Sequence, residues 1–176
     1  MAKPAGFDYR LEPLDANRHD RDAFVCGTES LDLYLKTLAT QDMRRKANAV
    51  FVLTANPAPR KIIGYFTLCA FSLDQAAVPE AARKRIPRHP MVSATLIGRL
   101  AVAQSEQGRG LGSLLLARAL RKSWENAAQV GSCMVIVDAI DDDAEGFYRA
   151  HGFIKLPDTR RLILPMRTIG DLIGDS

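Results

Sequence analysis

Leu100-Ala101-Val102-Ala103-Gln104-Ser105-Glu106-Gln107-Gly108-Arg109-Gly110-Leu111-Gly112 is the stretch on which the reading of this chain turns. It predicts a strand, a glycine-rich turn and the start of a helix, in that order. Glycines in such a turn let the backbone approach a ligand with no Cβ in the way. A helix that starts directly behind them presents unpaired N–H groups and the positive end of its dipole. Together these features make a site for a pyrophosphate. The alternative is a tight strand–helix turn that uses its glycines for geometry alone. No Gly-Lys-Ser/Thr follows, so the loop is not a Walker loop. Its glycine spacing is not the dinucleotide fingerprint, and no βαβ unit starts there.

Around this centre the pattern is regular. Ala94–Ala103 reads as a strand and Gly110–Ala128 as a helix with Leu111, Leu114, Leu115 and Leu120 on its apolar face. Ser132–Ala139 is β-branched and predicts a central strand. Asp141 to His151 predicts a short helix with an acidic first turn. Gly152–Leu156 and Arg161–Met166 predict two last strands, parted by Pro157-Asp158. Upstream, Phe7–Leu14 reads as a first strand. A long helix follows Thr28, its expected N-cap, with Leu31, Tyr34, Leu35 and Leu38 on one face and Arg44-Arg45-Lys46 at its end. Ala49–Ala55 and Ile62–Ser72 read as a hairpin broken by Asn56-Pro57-Ala58-Pro59, and residues 79–92 as a loop with a short helix. The order predicts an α/β (α+β) fold with a mixed, highly twisted central sheet flanked by helices. No repeat or linker divides the chain, so residues 1–176 are expected to form a single domain.

Composition limits the function. Of 176 residues 47% are hydrophobic and 25% charged, as in ordinary soluble domains. No apolar run approaches the roughly 18 residues of a membrane helix, and Met1 to Gly6 contains no signal core. A cytoplasmic location and no membrane partner are the expectation. Cys26, Cys69 and Cys133 are too few and too scattered for a disulfide framework, and each reads as a small core residue. No Cys/His cluster has metal-ligand spacing, so no metal is expected. Lys plus Arg is 24 and Asp plus Glu is 20, a net charge of +4.

Gln107-Gly108-Arg109-Gly110-Leu111-Gly112 resembles the pyrophosphate loop of the GNAT acetyltransferase superfamily, Gln/Arg-x-x-Gly-x-Gly/Ala. The segment Asp141-Asp142-Asp143-Ala144-Glu145-Gly146-Phe147-Tyr148-Arg149-Ala150-His151-Gly152-Phe153 resembles that superfamily's Asn-x-x-Ala-x-x-Phe-Tyr-x-x-x-Gly-Phe, with Asp141 in place of the usual Asn. The resemblance implies a GNAT fold with splayed central strands and acetyl-CoA as cofactor. It implies that Leu100, Ala101 and Val102 meet the pantetheine arm. Gln107 to Gly112 and Ser113 would hold the pyrophosphate, and Asp141 and Phe147 would lie on the cofactor. A backbone N–H freed at a bulge, that of Leu100 or a neighbour, would face the thioester oxygen. Tyr148 would be the catalytic acid, because a phenol of pKa near ~10 can protonate a thiolate of conjugate pKa near ~8.5. Read without the motif, Tyr148 is a core aromatic at helical spacing from Ala144 and His151.

A narrower resemblance covers nearly the whole chain. Phe24-x-Cys26-Gly27, Leu31-Asp32-x-Tyr34-Leu35, Ala39-x-Gln41-Asp42, Ile63-Gly64-Tyr65-Phe66-Thr67-Leu68, Arg85-Ile86-Pro87-Arg88-His89-Pro90, Ile97-Gly98-Arg99-Leu100-Ala101-Val102 and Leu164-Pro165-Met166 are similar to GNAT toxins of type II toxin–antitoxin systems. That resemblance implies acetylation of the α-amine of aminoacyl-tRNA and a block of translation. It also implies a ribbon–helix–helix antitoxin and a homodimer. Arg44, Arg45 and Lys46, with Arg83, Lys84, Arg85 and Arg88, form two basic clusters that could grip tRNA phosphates, or two solvated faces. Arg99 could approach substrate or be structural. His89 and His151 read as loop or packing residues. An α-amine titrates near ~8, so it needs no dedicated base. Two other readings remain open: an enzyme acting on protein N-termini or a small amine, and a catalytically silent module that binds the cofactor.

Overall fold

The structure is a computed structural model that describes residues 8–174. Phe7, expected to open the first strand, and the segment Met1 to Gly6 lie outside the described residues. The elements are β1 (Tyr9–Pro13), α1 (Glu29–Thr37), α2 (Ala39–Arg44), β2 (Ala49–Ala55), β3 (Gly64–Asp74), α3 (Glu80–Arg83), β4 (Met91–Val102), α4 (Leu111–Ala127), β5 (Met134–Asp138), α5 (Asp142–Ala150), β6 (Ile154–Lys155), β7 (Arg161–Pro165) and α6 (Met166–Ile173). One seven-stranded sheet has the order β1-β2-β3-β4-β5-β7-β6. It is mixed: β4 and β5 are parallel, whereas β1/β2, β5/β7 and β6/β7 are antiparallel.

The chain divides into two compact units. Residues to Thr67 with Arg99–Arg118 form the first, and Leu68–Gly98 with Ala119 onward the second. In the first, Phe24, Tyr34, Leu35, Ala39, Val50, Val52, Tyr65 and Ala101 build an apolar cluster. In the second, Leu73, Val78, Ile86, Val92, Met134, Ile136, Leu156 and Ile163 do the same. Met134–Val137 is wholly buried, which is why β5 is a continuous apolar run and not an alternating one.

Four local expectations are corrected. The long helix after Thr28 is two helices, because the backbone leaves helical geometry at Leu38, φ −114°. The break leaves both Leu35 and Ala39 fully buried and turns Leu38 out to 46% exposure. A straight helix with Leu31, Tyr34, Leu35 and Leu38 on its inner face would have buried Leu38 instead. Thr28 does occupy the N-cap, but its side chain caps nothing. On α4 the buried residues are Leu111, Leu115, Leu116, Ala119 and Leu120, with Leu114 only partly covered. Cys69 and Cys133 are likewise half-buried, and only Cys26 is a core cysteine.

α6 is a helix the sequence reading left out. Its signals were present: Pro165 before the first turn and Gly174 at φ +78° after the last. Met166, Ile169 and Gly170 are its buried residues.

Candidate active site

The site begins where β4 outruns its partner. The β4/β5 register pairs Thr95 with Val135, Leu96 with Ile136 and Ile97 with Val137, and ends there. Gly98–Val102 continue past it, so the stretch that holds Leu100, Ala101 and Val102 has no ladder to β5 among the described residues. Ala101 is buried in the first unit's cluster, while Leu100 and Val102 are partly exposed.

After β4 a short 3-10 turn, Gln104–Glu106, leads into the loop. Gly108 and Gly110 sit at φ +81° and +75°, where a side chain is strained. A Cβ built at either would meet no atom within 4 Å, so the loop is open on that side. The Leu114 N–H reaches back to the Gly110 carbonyl at 3.2 Å and closes the first turn of α4. The amides of Leu111 and Gly112, one step inside, have no carbonyl of their own helix to meet. Positive-φ glycines, open space and helix-end donors form a cradle that fits a pyrophosphate.

The polar side chains of the loop bond within the protein, Gln107 through its amide nitrogen and Arg109 through one guanidinium nitrogen. The Gln107 Nε2 donates to the Cys26 carbonyl at 2.8 Å and the Val102 carbonyl at 3.1 Å. It folds the loop back against the end of β4. Arg109 pairs with Glu106 at 3.0 Å, and Glu106 also takes Lys61 at 2.9 Å. The donors left for phosphate are backbone amides and the rest of the Arg109 guanidinium. Cys26 belongs to a segment the sequence had singled out without a role, and its carbonyl is the loop's tether. Its thiol is pushed up to about 11 by burial, then by its bond to Asp32, so it is an inert protonated thiol.

In the second unit Asp141 caps α5, its Oδ1 accepting from the Ala144 N–H at 2.8 Å. α5 carries Phe147 and Tyr148. The Tyr148 ring is 7% exposed and meets Phe147 and Phe153 edge-on, with centroids 5.3 and 5.4 Å away. Burial alone pushes its phenol up to about 12. Among the described residues nothing accepts from or donates to its hydroxyl. Phe147 also packs on His151, whose Nδ1 lies 2.7 Å from the Phe147 carbonyl. His151 is thus tied into the end of α5, while His89 is an exposed loop residue.

The basic residues divide by what they touch. Arg44, Arg45 and Lys46 end α2, all exposed, and none enters an ion pair among the described residues. Lys84 and Arg88 are exposed and equally unpaired among those residues. Arg83 instead donates to the Val78 carbonyl at 2.8 Å and the Ala76 carbonyl at 3.4 Å. Arg85 pairs with Asp171 at 2.7 Å. Among the described residues no group of His, Cys, Asp and Glu is arranged to hold a metal, and no helix is long and apolar enough to cross a membrane.

A strand that outruns its neighbour, a glycine cradle at the next helix and a buried tyrosine two elements later are the features of one acetyltransferase class. The chain belongs to the GNAT acetyltransferase family, whose domain profile matches residues 46–155. It is an N-acetyltransferase with acetyl-CoA as donor. The chain is 34% identical to a "tRNA-acetylating toxin" of Mycobacterium tuberculosis, over 89% of this chain and 92% of that one. It resembles the structure of AtaT complexed with acetyl-methionyl-tRNAfMet, with a TM-score of 0.85 and 32% identity over 94% of this chain and 99% of that one. It also resembles a tyrosine-to-phenylalanine mutant of AtaT bound to the C-terminus of the antitoxin AtaR and acetyl-CoA, with a TM-score of 0.80 and 30% identity over 94% and 98%.

Proposed function

We propose that this protein is a toxin that transfers acetyl from acetyl-CoA to the α-amino group of aminoacyl-tRNA and so stops translation. Likeness over 94% of the chain to a toxin solved with acetylated initiator tRNA carries this reading. The exposed, unpaired cations Arg44, Arg45, Lys46, Lys84 and Arg88 support it, because phosphates are what such residues attract. Arg83 and Arg85 belong to the same reading with a smaller share, since each is already bonded within the protein.

The residues have distinct parts. The amides of Gly108 to Gly112, with Ser113, hold the donor's pyrophosphate, and Gln107 and Arg109 hold the loop. Leu100, Ala101 and Val102 line the pantetheine arm, and the Leu100 N–H takes the thioester oxygen as charge grows on it. Asp141 caps the helix that carries Phe147 and Tyr148. Bound acetyl-CoA supplies the thioester carbonyl. Tyr148 would protonate the departing sulfur as the neutral α-amine takes the acetyl group, and the proton the amine loses would return through water to the Tyr148 phenolate. A phenol raised to about 12 is fully protonated at neutral pH but is a weaker acid for it, so its proton moves only as negative charge builds on the departing sulfur.

The same reading makes residues 1–176 one domain, since β3, β4 and α4 each run through both compact units. It makes the protein a cytoplasmic homodimer neutralised by a ribbon–helix–helix antitoxin. The test is direct. Purified protein, labelled acetyl-CoA and charged tRNA should give label that base releases from the tRNA as N-acetyl amino acid. Unlabelled tRNA alongside a labelled protein N-terminus or small amine would move the assignment to that acceptor.

A further inference from the structure

Arg99 precedes Leu100 on β4, and its guanidinium carbon lies 3.5 Å from the centroid of the Tyr34 ring. That ring is a fixed plane. Tyr34 is 4% exposed, its hydroxyl donates to Asp42 Oδ2 at 2.9 Å, and it accepts from Asn48 Nδ2 at 3.1 Å. Asn48 also donates to Asp42 at 3.1 Å, so the nearby carboxylate is already engaged by Tyr34 and Asn48. Arg99 itself is half-buried and enters no ion pair among the described residues. Its positive field opposes the upward shift that burial imposes on Tyr34 and Tyr65.

A partly exposed cation without a protein counter-charge is open to an anion. The planar guanidinium is built for phosphate or carboxylate, and stacking on an aromatic face leaves its N–H edge free to bind one. In an aminoacyl ester the carboxyl has lost its charge, so the anions of such an acceptor are its phosphodiesters. A cation here would also repel a protonated amine, so the amine is not its ligand. Resting on the function proposed above, we infer that Arg99 anchors the acceptor by a phosphodiester near the 3′ end of the tRNA. Tyr34 is the platform that aims it, and Asp42 and Asn48 hold the platform.

The full-length protein is assayed with charged tRNA and with a 3′-aminoacyl-adenosine carrying the same amino acid and no phosphate. Arg99→Gln should raise KM for charged tRNA about 10- to 100-fold, the range set by losing a hydrogen bond to a charged group. The slope of log KM against log salt should flatten by about one unit. KM for aminoacyl-adenosine and the acetyl-CoA affinity should stay as in wild type. Arg99→Lys keeps a point charge without the fork, and should recover part of the tRNA affinity. Equal losses on both acceptors, or weaker acetyl-CoA binding, would overturn the inference in favour of a structural or cofactor role. So would an unchanged KM for tRNA. Wild-type protein that leaves charged tRNA unmodified would instead remove the acceptor reading itself, before any variant is compared.

Discussion

The side-chain amide of Gln107 donates to the backbone carbonyl of Cys26 at 2.8 Å, across 81 residues of sequence. The same nitrogen meets the Val102 carbonyl, so one side chain ties the glycine loop to the loop before α1 and to the end of β4. Gln107→Ala should therefore act on the cofactor through loop order. We expect a stability loss of about 1 kcal/mol, since the site is near the surface, and a several-fold weaker acetyl-CoA affinity. Gln107→Glu should be worse than Ala, because a carboxylate cannot donate and would face two carbonyls. Thermal melts and titration calorimetry check both, and a Glu variant that binds like wild type would remove the tether.

Gly110→Asp should abolish tight cofactor binding. At φ +75° any side chain is strained by about 1–2 kcal/mol, and a carboxylate at the helix N-terminus repels a pyrophosphate. Gly110→Ala carries the strain without the charge and should lose less. Equal affinities for the two variants would mean that no phosphate sits there.

Tyr148→Phe keeps a ring held by Phe147 and Phe153 and removes a hydroxyl with no partner among the described residues. Its melting temperature should barely move. The turnover number should fall about 100-fold with acetyl-CoA affinity intact, the lower end of what a general acid contributes because a thiolate leaves readily. Wild-type turnover in a folded Phe variant would make the hydroxyl structural.

The pH profile follows from the same phenol. A group held near 12 is protonated across the working range, so kcat/KM should rise through the amine pKa near ~8 and show no falling limb below pH ~10. The sign for folding is the same. A folded pKa above the unfolded one adds stability that is fully present below pH ~10 and is lost as pH rises towards 12. A falling limb between pH 8 and 9 would point to a different acid.

Charge reversal should separate the basic residues. Lys84→Glu with Arg88→Glu should weaken charged tRNA and reduce the salt slope by about two, one for each lost contact, while sparing the fold. Arg83→Ala should instead destabilise the protein, since Arg83 bonds the carbonyls of Val78 and Ala76. Reversing Arg85 alone also breaks its pair with Asp171 and so confounds two effects. Unaltered tRNA kinetics and salt dependence in the Lys84/Arg88 variant would take this loop out of the interface.

The sequence by itself determined the parts of this protein whose physics is local. A strand, a turn with two glycines and a helix start are written in consecutive residues, and so is the open glycine cradle they make. The buried run Met134–Val137 and the acidic first turn of α5 were legible for the same reason. Tertiary structure decided the rest. The break at Leu38 turns that leucine out to 46% exposure, which its helical spacing from Leu31, Tyr34 and Leu35 does not express, while Leu35 and Ala39, four apart, share one face. Gln107 reads as a phosphate ligand, yet its side-chain amide is engaged by the Cys26 and Val102 carbonyls, while Arg109 pairs with Glu106 through one nitrogen. Arg83 and Arg85 read like Lys84 and Arg88 until the Val78 carbonyl and Asp171 are brought beside them. Arg99 could not be told from a structural arginine until the ring of Tyr34 lay under it. Apart from Glu106, three residues before Arg109, the deciding partners lie elsewhere in the chain or are backbone atoms, and residue spacing carries information only about side chains one or two turns away.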